Sequence, residues 1–127
     1  ENLDQAVRLG LKPEGGFAES PYAFTEADLL RGKALYQSFC AICHGARGEG
    51  DGRAIPLGVP KPRSYHDPAV RDQPEGYFYF AATNGFGRML PYKSRIPERE
   101  RWLIAHYIKR CLLSEACPEE VVHAEVH

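Results

Sequence analysis

Apolar side chains recur at helical spacing in three stretches of this chain, and glycine, proline and charge fill the rest. Leu29, Gly32, Tyr36 and Phe39 share one face of a helix running from Glu26 to Phe39. Thr25-Glu26-Ala27-Asp28 supplies its capping box, with an acid three residues after the N-cap threonine. Gly32 weakens that helix, so a second helix is expected to cross close to it. A second stretch opens after Gln73-Pro74, carries Tyr77, Phe78, Phe80, Ala81 and Ala82, and closes at Asn84-Gly85 with Gly85 just past the end. The third opens at Pro97 and carries Trp102, Leu103, Ile104, Tyr107, Ile108, Cys111 and Leu112. Glu98 and Glu100 in its first turn, and Lys109 and Arg110 in its last, both suit the helix dipole. Ile104, Tyr107 and Ile108 are expected to pack on Gly32 and Tyr36. Asp67-Pro68 starts a further short helix over Pro68–Asp72. The predicted class is all-α.

The remaining segments set the organisation. The expected division is an N-terminal extension over 1–24, a central domain over 25–113 and a C-terminal tail over 114–127. In the extension, Leu3, Val7, Leu9 and Leu11 allow a short amphipathic turn, which Lys12-Pro13-Glu14-Gly15-Gly16 breaks. The extension reads either as a segment lying along the domain surface or as a disordered terminus. Gly45 to Val59, with Gly48, Gly50, Gly52 and Gly58, reads as a flexible turning loop. A phosphate loop is disfavoured there, because no strand precedes it and no helix follows. At 127 residues, with ten prolines and twelve glycines, the chain is one loop-rich domain. A net charge of −1 implies no strong field for nucleic acid or membrane. No apolar run approaches the roughly 18 residues of a membrane span.

The candidate chemistry lies in Cys40-Ala41-Ile42-Cys43-His44, which reads as a c-type haem attachment site. Two thiols at this spacing reach one porphyrin edge, and the histidine that follows falls under the iron. A zinc half-site would want a second pair at similar spacing, and Cys111 and Cys117 stand five residues apart. A thioredoxin-like pair would want a βαβ surround. Met89, the single methionine, sits in the loop from Phe86 to Tyr92 and is the candidate sixth ligand. His66 and His106 stand next in order. Arg63 and Arg88 are the candidates to offset the haem propionates. Pro56, Pro60 and Pro62 mark regions where a carbonyl would take the His44 Nδ1 proton. Cys111 and Cys117 are expected to be bridged in an oxidising compartment. His123 and His127, four apart, make a poor surface metal site.

The order of helix, C-A-I-C-H-G, Gly/Pro-rich loop, small helices, T-N-G-F-G-R-M-L-P-Y and final helix resembles the class I cytochromes c over residues 25–113. The run R-M-L-P-Y-K-S-R-I-P-E-R-E-R-W-L-I-A-H-Y-I is similar to the monohaem cytochrome c subunits of alternative complex III and related soluble carriers. The resemblance implies one covalent haem c, with thioethers at Cys40 and Cys43 and axial ligands His44 and Met89. It implies a one-electron carrier rather than an enzyme, placed between a quinol-oxidising complex as donor and a terminal oxidase cytochrome domain as acceptor. The competing reading is a haem protein with an open sixth position, for gas binding or peroxidase activity. Location is expected to be periplasmic, with membrane contact only through partners or an anchor ahead of Glu1 and no nucleic-acid partner.

Overall fold

The computed structural model describes residues 8–126. Leu3 and Val7 of the expected N-terminal turn, and His127, lie outside the described residues. Every regular element among the described residues is helical: α1 (Glu26–Phe39), α2 (Ala41–His44), a 3₁₀ turn (Ile55–Leu57), α3 (Pro68–Arg71), α4 (Glu75–Asn84), α5 (Glu98–Tyr107), a π turn (Ile108–Leu112) and α6 (Glu119–His123). The fold is therefore all-α. No helix among the described residues is long and apolar enough to cross a membrane.

α1 starts at Thr25 because two orphan donors are satisfied there. The Asp28 N–H donates to Thr25 Oγ1 over 3.1 Å, and the Thr25 N–H donates to the Asp28 carboxylate over 2.8 Å. α1 and α5 cross at Gly32. A Cβ there would stand 3.1 Å from Tyr107 Cβ and 3.2 Å from both Leu103 Cγ and the Leu103 carbonyl oxygen. The close partners are thus Leu103 and Tyr107, one turn apart on α5, and Tyr36 meets Tyr107 with ring centroids 5.6 Å apart. On the other side of α5, Trp102 stacks on Tyr79 of α4 at 4.1 Å. These side chains form the core with Leu29, Leu35, Phe78 and Ile104.

Both flanking segments pack on this core. The described part of the N-terminal segment folds back on itself through a Leu11–Phe17 bridge. It meets α4 at Gly76, whose N–H donates to the Ala18 carbonyl over 2.7 Å. A Cβ at Gly76 would fall on the carbonyls of Gly10 and Ala18, so only glycine lets the two backbones approach. Phe17 packs edge-on against Tyr77 and Phe80. At the other end, Cys111 and Cys117 are joined, with Cα atoms 4.5 Å apart. α6 then buries Val121 completely. Buried Lys33 of α1 donates from Nζ to the carbonyls of Val121, Val122 and Ala124, at 2.7, 2.9 and 2.8 Å.

Candidate haem-binding site

α1 hands the chain directly to the cysteine motif. Cys40 closes α1, its N–H donating to the Tyr36 carbonyl over 2.8 Å, and opens α2 by accepting from His44 N–H over 2.9 Å. Cys40, Cys43 and His44 therefore share one helical turn, and residues three and four apart face the same side. Both thiols are free. Cys40 packs against the core, and burial, with help from neighbouring Cys43, pushes its thiol up to about 12. Burial drives His44 down to about 4, so its ring is uncharged at neutral pH, the form that ligates metal.

The glycine loop after His44 is ordered by backbone pairing. Gly50 N–H donates to the His44 carbonyl, Gly52 N–H to the Cys43 carbonyl and Ala54 N–H to the Ile42 carbonyl. A Cβ on Gly52 would collide with the Ile42 carbonyl, which is why glycine stands there. Tyr36 Oη donates to the Gly45 carbonyl over 2.7 Å. Tyr65 N–H is held by the Gly48 carbonyl, and its ring stacks on His44 at 4.8 Å. Phe78 then packs edge-on against Tyr65, and Tyr92 against Phe39. Burial raises Tyr65 and Tyr92, with the Cys40 thiol a secondary cause for each.

The structure brings Cys40, Cys43 and His44 together. Met89 lies in a tight turn just beyond α4, half-buried, its N–H donating to the Phe86 carbonyl over 2.7 Å. Gly87 makes that turn with φ at 53°. His66 Nε2 is 2.8 Å from the Arg47 carbonyl, and His106 Nδ1 is 2.8 Å from the Glu75 carboxylate. Both rivals to Met89 are therefore engaged elsewhere. Arg63 is exposed and pairs with Asp67 at 3.8 Å, and Arg88 is exposed at the turn. No proline-region carbonyl takes the His44 Nδ1, which is buried without a hydrogen-bond partner.

These residues fit a haem. Two thiols on one turn, an uncharged imidazole with an orphaned buried nitrogen and an aromatic surround are the donor set and the apolar wall such a group needs. Among the described residues, no three His, Cys, Asp or Glu side chains converge as a metal-ion site.

Comparison with known proteins agrees. Residues 27–108, more than half of the chain, match the family model described as "Cytochrome C oxidase, cbb3-type, subunit III". No curated protein matches significantly. Two of the similar solved structures illustrate the match. "KustC0563 c-type cytochrome" is 21% identical with a TM-score of 0.51, over 61% of this chain and 93% of its own. A chain of the "Kuenenia stuttgartiensis reducing HAO-like protein complex Kustc0457/Kustc0458" is 24% identical with a TM-score of 0.57, over 82% of this chain and 52% of its own. At these identities the two structures speak for the fold.

Proposed function

The chain belongs to the family of cytochrome c domains whose model it matches, and from that premise we propose that it is a single-haem, one-electron carrier of a respiratory chain, not an enzyme. Cys40 and Cys43 would hold one haem c through thioethers, and His44 and Met89 would bind its iron. The supporting observation is the Cys40–His44 turn, which sets two thiols beside an uncharged imidazole against an aromatic wall. When bound, the haem supplies the ferric–ferrous couple. His44 offers an imidazole nitrogen with no proton to lose at neutral pH. A Met89 thioether is soft and would favour ferrous iron, so His44 and Met89 together would raise the potential and leave no position open for a substrate. Tyr65, Phe78 and Tyr92 would line the site with aromatic surface, and low polarity there would also favour the less charged reduced state. Arg63 and Arg88, both exposed, would meet the propionates.

The proposed donor is a quinol-oxidising complex of the alternative complex III kind, and the proposed acceptor is a terminal oxidase cytochrome domain, both outside the cytoplasm. From Gly45 to Arg101 the chain carries ten Lys/Arg against seven Asp/Glu. This small excess gives weak, salt-sensitive steering toward an acidic partner.

The testing experiment is Met89→Ala. The variant is expected to keep its haem through acid acetone extraction, to lose the iron–methionine charge-transfer band, and to bind imidazole at the vacated position with a lowered potential. A variant that keeps the parent potential and band would remove Met89 as ligand. A high-spin spectrum in the parent would favour the gas-binding or peroxidase reading instead.

A further inference from the structure

Arg101 of α5 is 5% exposed, yet it sits in a charged Glu-Arg-Glu-Arg run. Its Nε donates to Thr83 Oγ1 over 2.9 Å. Its Nη1 donates to the Lys93 carbonyl over 3.0 Å and to the Ile96 carbonyl over 2.6 Å. Its Nη2 donates to Tyr79 Oη over 3.2 Å, and the guanidinium carbon lies 5.3 Å from the Tyr79 ring centroid. None of these four acceptors is a carboxylate. A buried cation held only by neutral oxygens is a costly arrangement, and Arg101 keeps it at a particular place in the fold.

That place is the neck of the Met89 loop. Thr83 lies at the C-terminal end of α4, where the chain enters the loop, and Lys93 lies where the chain leaves it. The exit arm is held again by Tyr92, whose N–H donates to the Ala82 carbonyl over 2.8 Å. Arg95 covers the Tyr92 ring at 5.1 Å. We propose that Arg101 is a positioning residue for the sixth ligand: one guanidinium ties the entering and leaving arms of the Met89 loop to α5 and so sets how rarely Met89 leaves the iron. The proposal rests on Met89 being an axial ligand. The five donors of a planar guanidinium suit the task, because a lysine ammonium is a point charge and cannot span acceptors on two separate arms in one plane.

An added ligand reaches the iron only when Met89 is off, so its apparent affinity reports the open fraction directly. The test titrates the haem-loaded ferric protein with imidazole and follows the iron–methionine charge-transfer band. Parent, Arg101→Met, Thr83→Val and Lys33→Met are compared. Lys33→Met removes another buried cation, one that clamps the tail and not the loop. Arg101→Met is expected to bind imidazole about tenfold more tightly than the parent, and Thr83→Val by a smaller factor in the same direction. Lys33→Met should lower the unfolding midpoint while keeping the parent's imidazole affinity. If Arg101→Met does not fold, Thr83→Val alone decides. Parent-like imidazole affinity with an intact band in whichever loop variants fold overturns the proposal and leaves the ligand reading standing. A parent without the band, matched by Met89→Ala in imidazole affinity, overturns the ligand reading and the proposal together.

Discussion

A methyl group at position 52 has nowhere to go, because the Ile42 carbonyl occupies its place. Gly52→Ala must therefore push the glycine loop off the Cys40–His44 turn that it pairs with. Such overpacking costs about 1–3 kcal/mol, and here the strain falls on the haem-bearing turn. The expected outcome is a lower haem-to-protein ratio after expression with haem attachment intact, read from the absorbance of purified protein. That Cys40, Cys43 and His44 act as one local unit was legible in the sequence, because C-A-I-C-H is a spacing with a mechanism behind it, and the structure places the three on one turn. The supports were not. Gly52 looked like one of several flexible glycines, and its closeness to Ile42 exists only once the loop doubles back. Nothing in the sequence signals the burial of Lys33 and Arg101, since their acceptors lie far along the chain or on neighbouring elements. The Lys33 partner Val121 is 88 residues away.

At the scale of elements, the periodic stretches were read well where one face had to be buried. α1 matches its expected bounds, and α4 closes at Gly85 with φ at 77°. The crossing at Gly32 also followed, since an interior glycine in an apolar stripe has few reasons to exist except close approach. The last helix differs in two ways. Its end widens into the π turn from Ile108, and α6 follows on the tail. Local propensity does not signal either, as both depend on tertiary contacts: the Cys111–Cys117 link and the burial of Val121 against α1. Gly32→Ala sets two effects against each other. Alanine gains about 1 kcal/mol of helix propensity. The new methyl meets the rigid Leu103 carbonyl and Tyr107 Cβ, an overpacking of about 1–3 kcal/mol. The net expectation is a destabilisation of up to about 2 kcal/mol, seen as a lower urea midpoint with an unchanged slope.

The whole molecule carries an unusual number of tyrosines whose protons are held by burial. Tyr22, Tyr36, Tyr65, Tyr92 and Tyr107 are all raised, and burial is the first cause in each. Tyr22 and Tyr107 reach about 12. Unfolded tyrosines release their protons near pH 10. Below that pH both states are protonated and the stabilisation is complete. Between about 10 and 12 the folded state keeps protons that the unfolded state has lost, so stability falls as pH rises. Tyr107 alone is worth on the order of 2–3 kcal/mol across that window. Urea midpoints measured from about pH 9 upward should drop steeply past pH 10, and Tyr107→Phe should flatten the drop. The all-α class and the haem reading were visible from the sequence at this scale. That the N-terminal extension lies along the domain was one of its two readings, but the contacts that dock both flanking segments were not visible, because Gly76 and Val121 reveal their partners only in three dimensions. The distance along the chain between α1 and the elements that cover it also fixes an order of events in biosynthesis. During synthesis Cys40 and Cys43 emerge some sixty residues before α5, whose arrival closes the core over α1. Until then the helix that leads to them lacks the partner that crosses it at Gly32 in the finished fold. In the finished fold Cys40 packs against the core, and burial raises its thiol. The segment between the cysteine motif and α5 thus separates the emergence of the two thiols from the closing of the core.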